Sequence, residues 1–395
     1  MIQSFSFTRI PNIIFGLKSL SKLFDIILNY GKNVLIVTGA SSLERSDKWA
    51  EIVSNIDEQG IIIDRVVIKE EPSPTIIDQY TSEFRGKKID LVIGIGGGSV
   101  TDAGKAISAM IPKKDGVKNY LEGVGTKLPD GEKIPYIAIP TTSGTGSEAT
   151  KNAVISEIGP QGYKKSLRHA NYVPDVAIID PELMITCPPD ITAACGLDAF
   201  TQLLESYVST QASPMTDVLA KSGIIHVKDN LISACNEGSS NINVRSEMAY
   251  GSLLSGITIA NAGLGIVHGL AGPIGGLFEV PHGFACGTLL AEATKTNIEL
   301  LKKKGPKGKE SLAKYAHIGV LVADEECFII DKIPEYCENL IEKLEEWTSE
   351  LKIKRLGKFG IIEEDIPKIV DKASVKNNPV TLSKDNMKNI LLNRL

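Results

Sequence analysis

Four residues in the second half of the chain have the types and spacing to hold a divalent metal. Asp198 and Gln202 stand four apart in a helical pattern, so they share one helix face. His268 lies in GIVHGL, and His282 follows fourteen residues later in VPHGF. One carboxylate and two imidazoles suit Fe(II) or Zn(II). The plainer alternative is a pair of structural histidines in an apolar core. Against it, two of only five histidines fall in adjacent glycine-rich apolar segments. His169, His226 and His317 stand in polar context and receive no role.

A second kind of chemistry is written in the first half. Gly96-Gly97-Gly98-Ser99, followed by Asp102 and Lys105, comes straight after an apolar run and opens a helical pattern. Glycines let the backbone approach a ligand, and a helix N-terminus offers free N–H donors and the positive end of a dipole. A pyrophosphate is the natural guest. The pattern is neither GxGxxG nor a P-loop, and a tight turn between strand and helix is the competing reading. Pro140-Thr141-Thr142-Ser143-Gly144-Thr145-Gly146-Ser147-Glu148 also follows an apolar run. Hydroxyls packed this densely bind phosphate or ribose, or else cap a helix and fill a turn. Two such loops at the carboxyl ends of strands in one sheet favour a nucleotide site.

The elements that position these residues fall into two halves. Asn33–Thr38, Ile61–Ile68, Ile89–Ile95, Ile134–Ile139 and Val176–Ile179 are runs of strand formers, with helical patterns between them. Continuous apolar strands alternating with helices predict a parallel sheet covered on both faces. After about Pro189 strand runs become rare. Helical patterns occupy Asp190–Thr210, Pro214–Ala234, Val244–Ala260, Ile330–Leu351 and Glu363–Ala373. Cys187-Pro188-Pro189-Asp190 marks the boundary, a chain stop with Asp190 as helix N-cap. The expected architecture is an α/β N-terminal dinucleotide-binding domain, residues 1–188, plus an all-α C-terminal domain, residues 189–395, for metal and substrate.

Bulk properties narrow the field. The chain has 395 residues, 43% hydrophobic and 23% charged, with a net charge of −5, which argues against a dedicated nucleic-acid binder. Its one basic run, Lys302–Lys309, reads as a solvated loop. The six cysteines include no CxxC pair, as expected of reduced thiols in a cytoplasmic protein. The N-terminus has no signal-peptide pattern. The apolar stretch Gly251–Val280 carries many glycines, Asn261, His268 and Pro273, so it reads as buried helices and no membrane partner is expected.

Taken together, these residues resemble the iron-containing (group III) alcohol dehydrogenase family. The matching motifs are IIFG near residue 15, GGGSVTDAGK at 96–105, PTTSGTGSEAT at 140–150 and PDVAIIDPEL at 174–183. GLDAF at 196–200, GLGIVHGLAGPIGG at 263–276, PHG at 281–283 and a weaker KNNPV at 376–380 follow. The resemblance spans essentially the whole chain. It implies the dehydroquinate synthase-like fold of that family, with the site in the cleft between two domains. It further implies that Gly97, Gly98 and Ser99 hold the cofactor pyrophosphate with Asp102 nearby. Thr141, Thr142 and Thr145 line the cofactor cleft, Lys164 reaches the ribose, and Asn152 lies near nicotinamide and substrate. Asp198, Gln202, His268 and His282 ring the metal, Fe(II) foremost with Zn(II) as the alternative, and Asp198, His268 and His282 act through it. The implied reaction is hydride transfer between NAD(P)(H) and a small alcohol or aldehyde, in a homodimer or larger assembly.

Three departures from the family pattern carry their own expectations. The family usually has His where this chain has Gln202, a neutral and weaker ligand, so metal is expected with lower affinity. Many members carry a proton-relaying His four residues after the first metal His. Here that position is Gly272, which removes the relay and enlarges the substrate pocket. NAD-preferring members often place Asp at position 39. Gly39 removes that repulsion, and Ser41 and Ser42 can donate to a 2′-phosphate, so NADP(H) is the expected preference over NAD(H). Two rival readings remain. A dehydroquinate synthase-like lyase needs a cationic pocket, and the segments around Asp198, His268 and His282 are neutral and apolar. A cofactor-binding family member with altered or lost catalysis is motivated by Gln202 and Gly272 together.

Overall fold

The computed structural model describes residues 4–40, 43 and 48–395. Eight strands and thirteen α-helices are formed among them. The first half holds β1 (Asn12–Phe15), α1 (Lys22–Ile27), β2 (Asn33–Gly39), α2 (Lys48–Glu58), β3 (Ile62–Ile68), α3 (Pro74–Phe84), β4 (Leu91–Gly96) and α4 (Gly98–Met110). It continues with β5 (Tyr136–Pro140), β6 (Asn152–Glu157), β7 (Tyr163–Arg168) and β8 (Val176–Ile179). Six strands form one parallel sheet in the order β1-β8-β5-β4-β2-β3. Successive residues of β2 feed opposite faces. Val34 and Ile36 join the core under α1 and α2, while Leu35 and Val37 join the one under α3 and α4. That is why the strands read as unbroken apolar runs.

Three strands were not legible as runs. NIIF of β1 is only four residues long and sits at the sheet edge beside β8. NAVISE and YKKSLR pair antiparallel as a separate hairpin, β6 with β7, in register Asn152 to Arg168 and Ser156 to Lys164. This hairpin covers α4 and α8, and only Ala153, Ile155, Ser156 and Leu167 in it are buried, so its sequence mixes charged with apolar positions.

The second half is helical: α5 (Pro189–Val208), α6 (Pro214–Cys235), α7 (Ile242–Ala262), α8 (Ile266–Leu277), α9 (His282–Lys303), α10 (Lys309–Val322), α11 (Ile333–Glu350), α12 (Ile366–Lys372) and α13 (Lys384–Leu392). α5 is the central helix; all but a few of its residues are buried, and it packs on α6, α7 and α9. Asp190 is not its N-cap. Pro188 takes that position and Asp190 sits in the first turn. The basic run at 302–309 is solvated as expected but is not a loop: it closes α9, makes a 3-10 turn over Gly305–Gly308 and opens α10. Among the described residues, no single helix is long and apolar enough to cross a membrane. α7 and α8 pass that test only as a pair, and they are bent by 99° at Gly263, whose φ of +73° suits glycine.

Candidate active site

The cofactor loops meet at the carboxyl ends of β4 and β5. α4 begins at Gly98, with Gly97 as an extended N-cap that makes no side-chain capping bond, so its first N–H groups are left for a ligand. The two loops are in contact. A Cβ on Gly98 would lie 2.7 Å from Thr145 Cγ2, and one on Gly97 would lie 3.4 Å from Thr142. Glycine is therefore required at 98 by loop-on-loop packing as well as by any ligand. The hydroxyl loop is anchored from below by Lys105, buried in α4. Its ammonium donates to Ser147 O (2.8 Å), Thr150 Oγ1 (3.0 Å) and Asn152 O (2.8 Å). Burial drops the Lys105 pKa to about 8. Asp102 accepts from Ser147 Oγ and from Val154 N (3.1 Å), which fixes β6 against α4. Gly98, Ser99, Asp102, Thr145 and Asn152 line one cleft. Gly97 and Thr142 line the cavity that continues it. Thr141 does not join them; it is buried, with its amide bonded to Gly96 O.

The metal candidates converge at the helical side of the same cleft. α5 carries Asp198, Gln202 and Glu205 on one face, α8 carries His268 in its first turn, and α9 opens on His282. Asp198 Oδ1 lies 3.3 Å from His268 Nε2 and 3.8 Å from His282 Nε2. Cys286, one turn after His282, places Sγ 3.6 Å from His268 Nε2 and 3.7 Å from His282 Nε2. One donor atom from each of Asp198, His268, His282 and Cys286 fits within 4.8 Å of all the others. The geometry calls for a cation. His268 Nδ1–H donates to Glu205 Oε2 at 2.7 Å, so the lone pair of a neutral His268 Nε2 points at Asp198 Oδ1. That oxygen is buried and has no hydrogen-bond partner among the described residues. Electron-rich atoms this close are stable only around a metal or an extra proton, and the residues fit a divalent ion.

Supporting groups missed in the sequence hold this cluster. Glu205 Oε1 also accepts from Val267 N (2.7 Å), and Asn378 Oδ1 accepts from Ile266 N (3.2 Å). Two buried side chains thus cap α8, whose own N-cap, Gly265, makes no side-chain bond. This gives the KNNPV segment its place. Gln202 meets the cluster as a donor: its Nε2 donates to Asp198 Oδ2 (3.0 Å), while its Oε1 accepts from Ser255 Oγ (2.8 Å). The spacing that singled out Asp198 with Gln202 also puts Glu205 on the face of Gln202 and Cys286 on the face of His282, but it marks neither as a ligand or a support.

The remaining residues frame the cleft. Lys164 lines it, and its ammonium is paired with Glu71 at 2.7 and 2.8 Å. Burial raises the Glu71 carboxyl, but Lys164 and the Ser156 hydroxyl outweigh this and hold it below the usual range. Gly272 lines the cleft, and a Cβ there would meet nothing within 4 Å. Gly39 ends β2, while Ser41 and Ser42 lie outside the described residues. The expectation of a pocket without cations, set against a lyase, does not hold. The helical segments are neutral, but Lys164, Arg168 and Lys376 reach the same cleft from β7 and from the turn after α12.

Comparison with known proteins agrees with this geometry. The family profile described as "Iron-containing alcohol dehydrogenase" matches residues 11–181, and "Fe-containing alcohol dehydrogenase family, C-terminal" matches residues 192–395. The chain is 33% identical to long-chain-alcohol dehydrogenase 1 of Geobacillus thermodenitrificans over 91% of its length and 87% of the relative's. It is 31% identical to the NADPH-dependent butanol dehydrogenase of Clostridium saccharobutylicum over 97% and 96%. Its fold superposes on the crystal structure of an archaeal halo-thermophilic alcohol dehydrogenase from a Red Sea brine pool, with a TM-score of 0.89 and 26% identity over the full length of both chains. The parallel sheet with its glycine-rich helix start, the helical half and the carboxylate–imidazole cluster between them therefore have one explanation: the chain belongs to the iron-containing alcohol dehydrogenase family, oxidoreductases that couple NAD(P) to alcohols and aldehydes.

Proposed function

We infer that this chain transfers a hydride between NADP(H), in preference to NAD(H), and a small alcohol or aldehyde at a divalent metal site. The observation that carries the reading is one cleft lined at once by Gly98, Ser99 and Thr145 and by His268 and His282. In that reading residues 1–188 hold the cofactor and residues 189–395 hold metal and substrate. When bound, the metal supplies a Lewis acid for the substrate oxygen and the nicotinamide supplies or accepts the hydride.

The chain's own residues supply position. The N-terminus of α4 receives the pyrophosphate, with Thr142 and Thr145 beside it. Asp198, His268 and His282 hold the metal, Glu205 fixes His268 so that Nε2 is the free nitrogen, and Gln202 steadies Asp198 through Oδ2. Lys164, held by Glu71, and Asn152 border the nicotinamide end. No side chain at 272 carries the hydroxyl proton, which passes to solvent in the open space beside Gly272.

The NADP(H) preference is supported by Gly39 and by a cation near it. Arg65 Nε donates to Thr38 Oγ1 at 3.0 Å, and the guanidinium lies 4.1 Å from the Trp49 ring centroid. Positive charge beside the end of β2 suits a 2′-phosphate. The reading includes a cytoplasmic location, supported by six cysteines with no CxxC pair among them, and the homodimer or larger assembly implied by the family. The test is the initial rate of NADPH and NADH oxidation with small aldehydes, on protein loaded with Fe(II) or Zn(II) and after chelation. Metal-dependent turnover favouring NADPH is expected. Cofactor binding without turnover by any metal form would establish the lost-catalysis alternative instead.

A further inference from the structure

We propose that the fourth protein ligand of the metal is the Cys286 thiolate, in the place expected of Gln202, and that the site selects Zn(II) over Fe(II). The inference deepens the reading above and rests on its metal site. Cys286 is fully buried, and its Sγ lies near both imidazole nitrogens, at 3.6 and 3.7 Å. A tetrahedron with metal–nitrogen bonds of about 2.0 Å and a metal–sulfur bond of about 2.3 Å has N···S edges of about 3.5 Å. The observed separations match those edges closely. Asp198 Oδ1, at 3.3 and 3.8 Å from the same nitrogens, completes the figure. Gln202 presents the wrong atom as it stands: its amide NH2 faces Asp198 and its amide oxygen is turned to Ser255. The chain has therefore exchanged a ligand on α5 for one on α9, a turn beyond His282. A soft thiolate beside two imidazoles and a carboxylate favours Zn(II), which also stands above Fe(II) in the usual affinity order.

The test reads the metal's coordination, independently of turnover. Purified full-length protein is stripped and reloaded with Co(II), then with Zn(II). Expected are a near-ultraviolet thiolate-to-cobalt charge-transfer band and a sulfur shell at about 2.3 Å in zinc X-ray absorption. Cys286→Ser and Cys286→Ala abolish the band and weaken Zn(II) binding at least tenfold, whereas Gln202→Ala retains the band. Stoichiometric Co(II) without the band, a shell of nitrogen and oxygen alone, or a band that survives Cys286→Ala would overturn the proposal. Failure of turnover with the band present would instead count against the dehydrogenase reading.

A separate observation bears on the substrate. Three cations border the cleft. Lys164 is paired with Glu71 and Arg168 with Glu122 at 3.2 Å, but the Lys376 ammonium has no ion pair or hydrogen bond among the described residues. Lys376 stands in a left-handed turn (φ +52°) directly before Asn377 and Asn378, which tie that turn to Leu264 and Ile266. The turn is thus fixed at the cleft that Gly272 also lines. The geometry points to a substrate that carries an anionic group (carboxylate, sulfonate or phosphonate) a few bonds from its carbinol carbon, with Lys376 and Arg168 as its partners. This too rests on the dehydrogenase reading. The probes are ω-oxo acids of two to five carbons and unsubstituted aldehydes of the same lengths, followed by NADPH oxidation. At least one acid is expected to have a KM tenfold or more below its neutral match, and Lys376→Gln or Arg168→Gln collapses that ratio while kcat for the acid changes less than KM. Equal KM values across every matched pair would refute the anionic class and leave the dehydrogenase standing. No turnover of either series would refute both.

Discussion

Glu205 offers the sharpest perturbation of the metal site because it touches the ligand and not the metal. Its carboxylate is buried and makes two bonds of 2.7 Å, one to Val267 N and one to His268 Nδ1. In Glu205→Ala both donors are left buried and unpaired, at about 1–3 kcal/mol each, so the metal-free protein should lose about 2–6 kcal/mol. In Glu205→Gln the amide oxygen still serves Val267 N, but the amide NH2 then opposes the His268 Nδ1–H. The imidazole relieves this by moving its proton to Nε2, the nitrogen that faces Asp198 and the metal. Stability should therefore fall by about half as much as in the Ala variant, while metal affinity falls in both. Loss of such an orienting partner typically lowers affinity by about 10–100-fold, equivalent to about 1.4–2.8 kcal/mol. Competition with a chromophoric chelator measures the affinity, and urea unfolding of stripped protein measures the stability. Zn(II) affinity within twofold of the parent in both variants would refute the assignment of His268 Nε2 as a ligand nitrogen.

Other perturbations test other parts of the account. Gly98→Ala pushes a methyl to 2.7 Å from Thr145 Cγ2; overpacking of about 1–3 kcal/mol should raise the NADPH dissociation constant, read by nucleotide fluorescence, and adding Thr145→Ser should recover part of it. Gly39→Asp should lower kcat/KM for NADPH at least tenfold relative to NADH; an unchanged ratio would remove the 2′-phosphate from that position. Gly272→His, built into open space, should alter both the pH profile of kcat and the ranking of aldehydes by size, and no change in either would show that the missing relay is immaterial. Glu148 is buried, and burial raises its carboxyl from 4.5 to about 7. A raised folded-state pKa contributes stability that is full below pH 4.5 and lost as pH rises through 7. Relative to Glu148→Gln, the parent should therefore lose about 3 kcal/mol over that window, as measured by urea unfolding at pH 4.5 to 7.5.

What was legible in the sequence follows from what each element buries. β2, β4, β5 and β8 lie inside a sheet covered on both faces, so almost every residue is apolar and the runs stand out. The β6–β7 hairpin is covered on one side, and Lys164, Lys165 and Arg168 hide its strand character. α9, 22 residues long, begins at His282 with no N-capping side chain, which removed the usual start signal. The glycine loop announced itself, and at Gly98 contact with Thr145 leaves no room for a side chain. Cys286 and Glu205 did not, since a cysteine or glutamate within an apolar helix carries no motif of its own; only the three-dimensional convergence on His268 gives them meaning. The cations at the cleft were invisible for a related reason. Arg168 and Lys376 are distant in sequence from every residue of the metal cluster.

The most direct test of the central claim follows the hydride itself. Protein loaded with Zn(II) is incubated with an accepted aldehyde and NADPH deuterated at nicotinamide C4, and the alcohol is analysed by mass spectrometry, beside a chelated sample and Asp198→Ala. The account predicts one deuterium on the carbinol carbon, from one face of the nicotinamide only, and none formed after chelation or in Asp198→Ala. Alcohol formed at the same rate without metal, or formed without deuterium on that carbon, would contradict it.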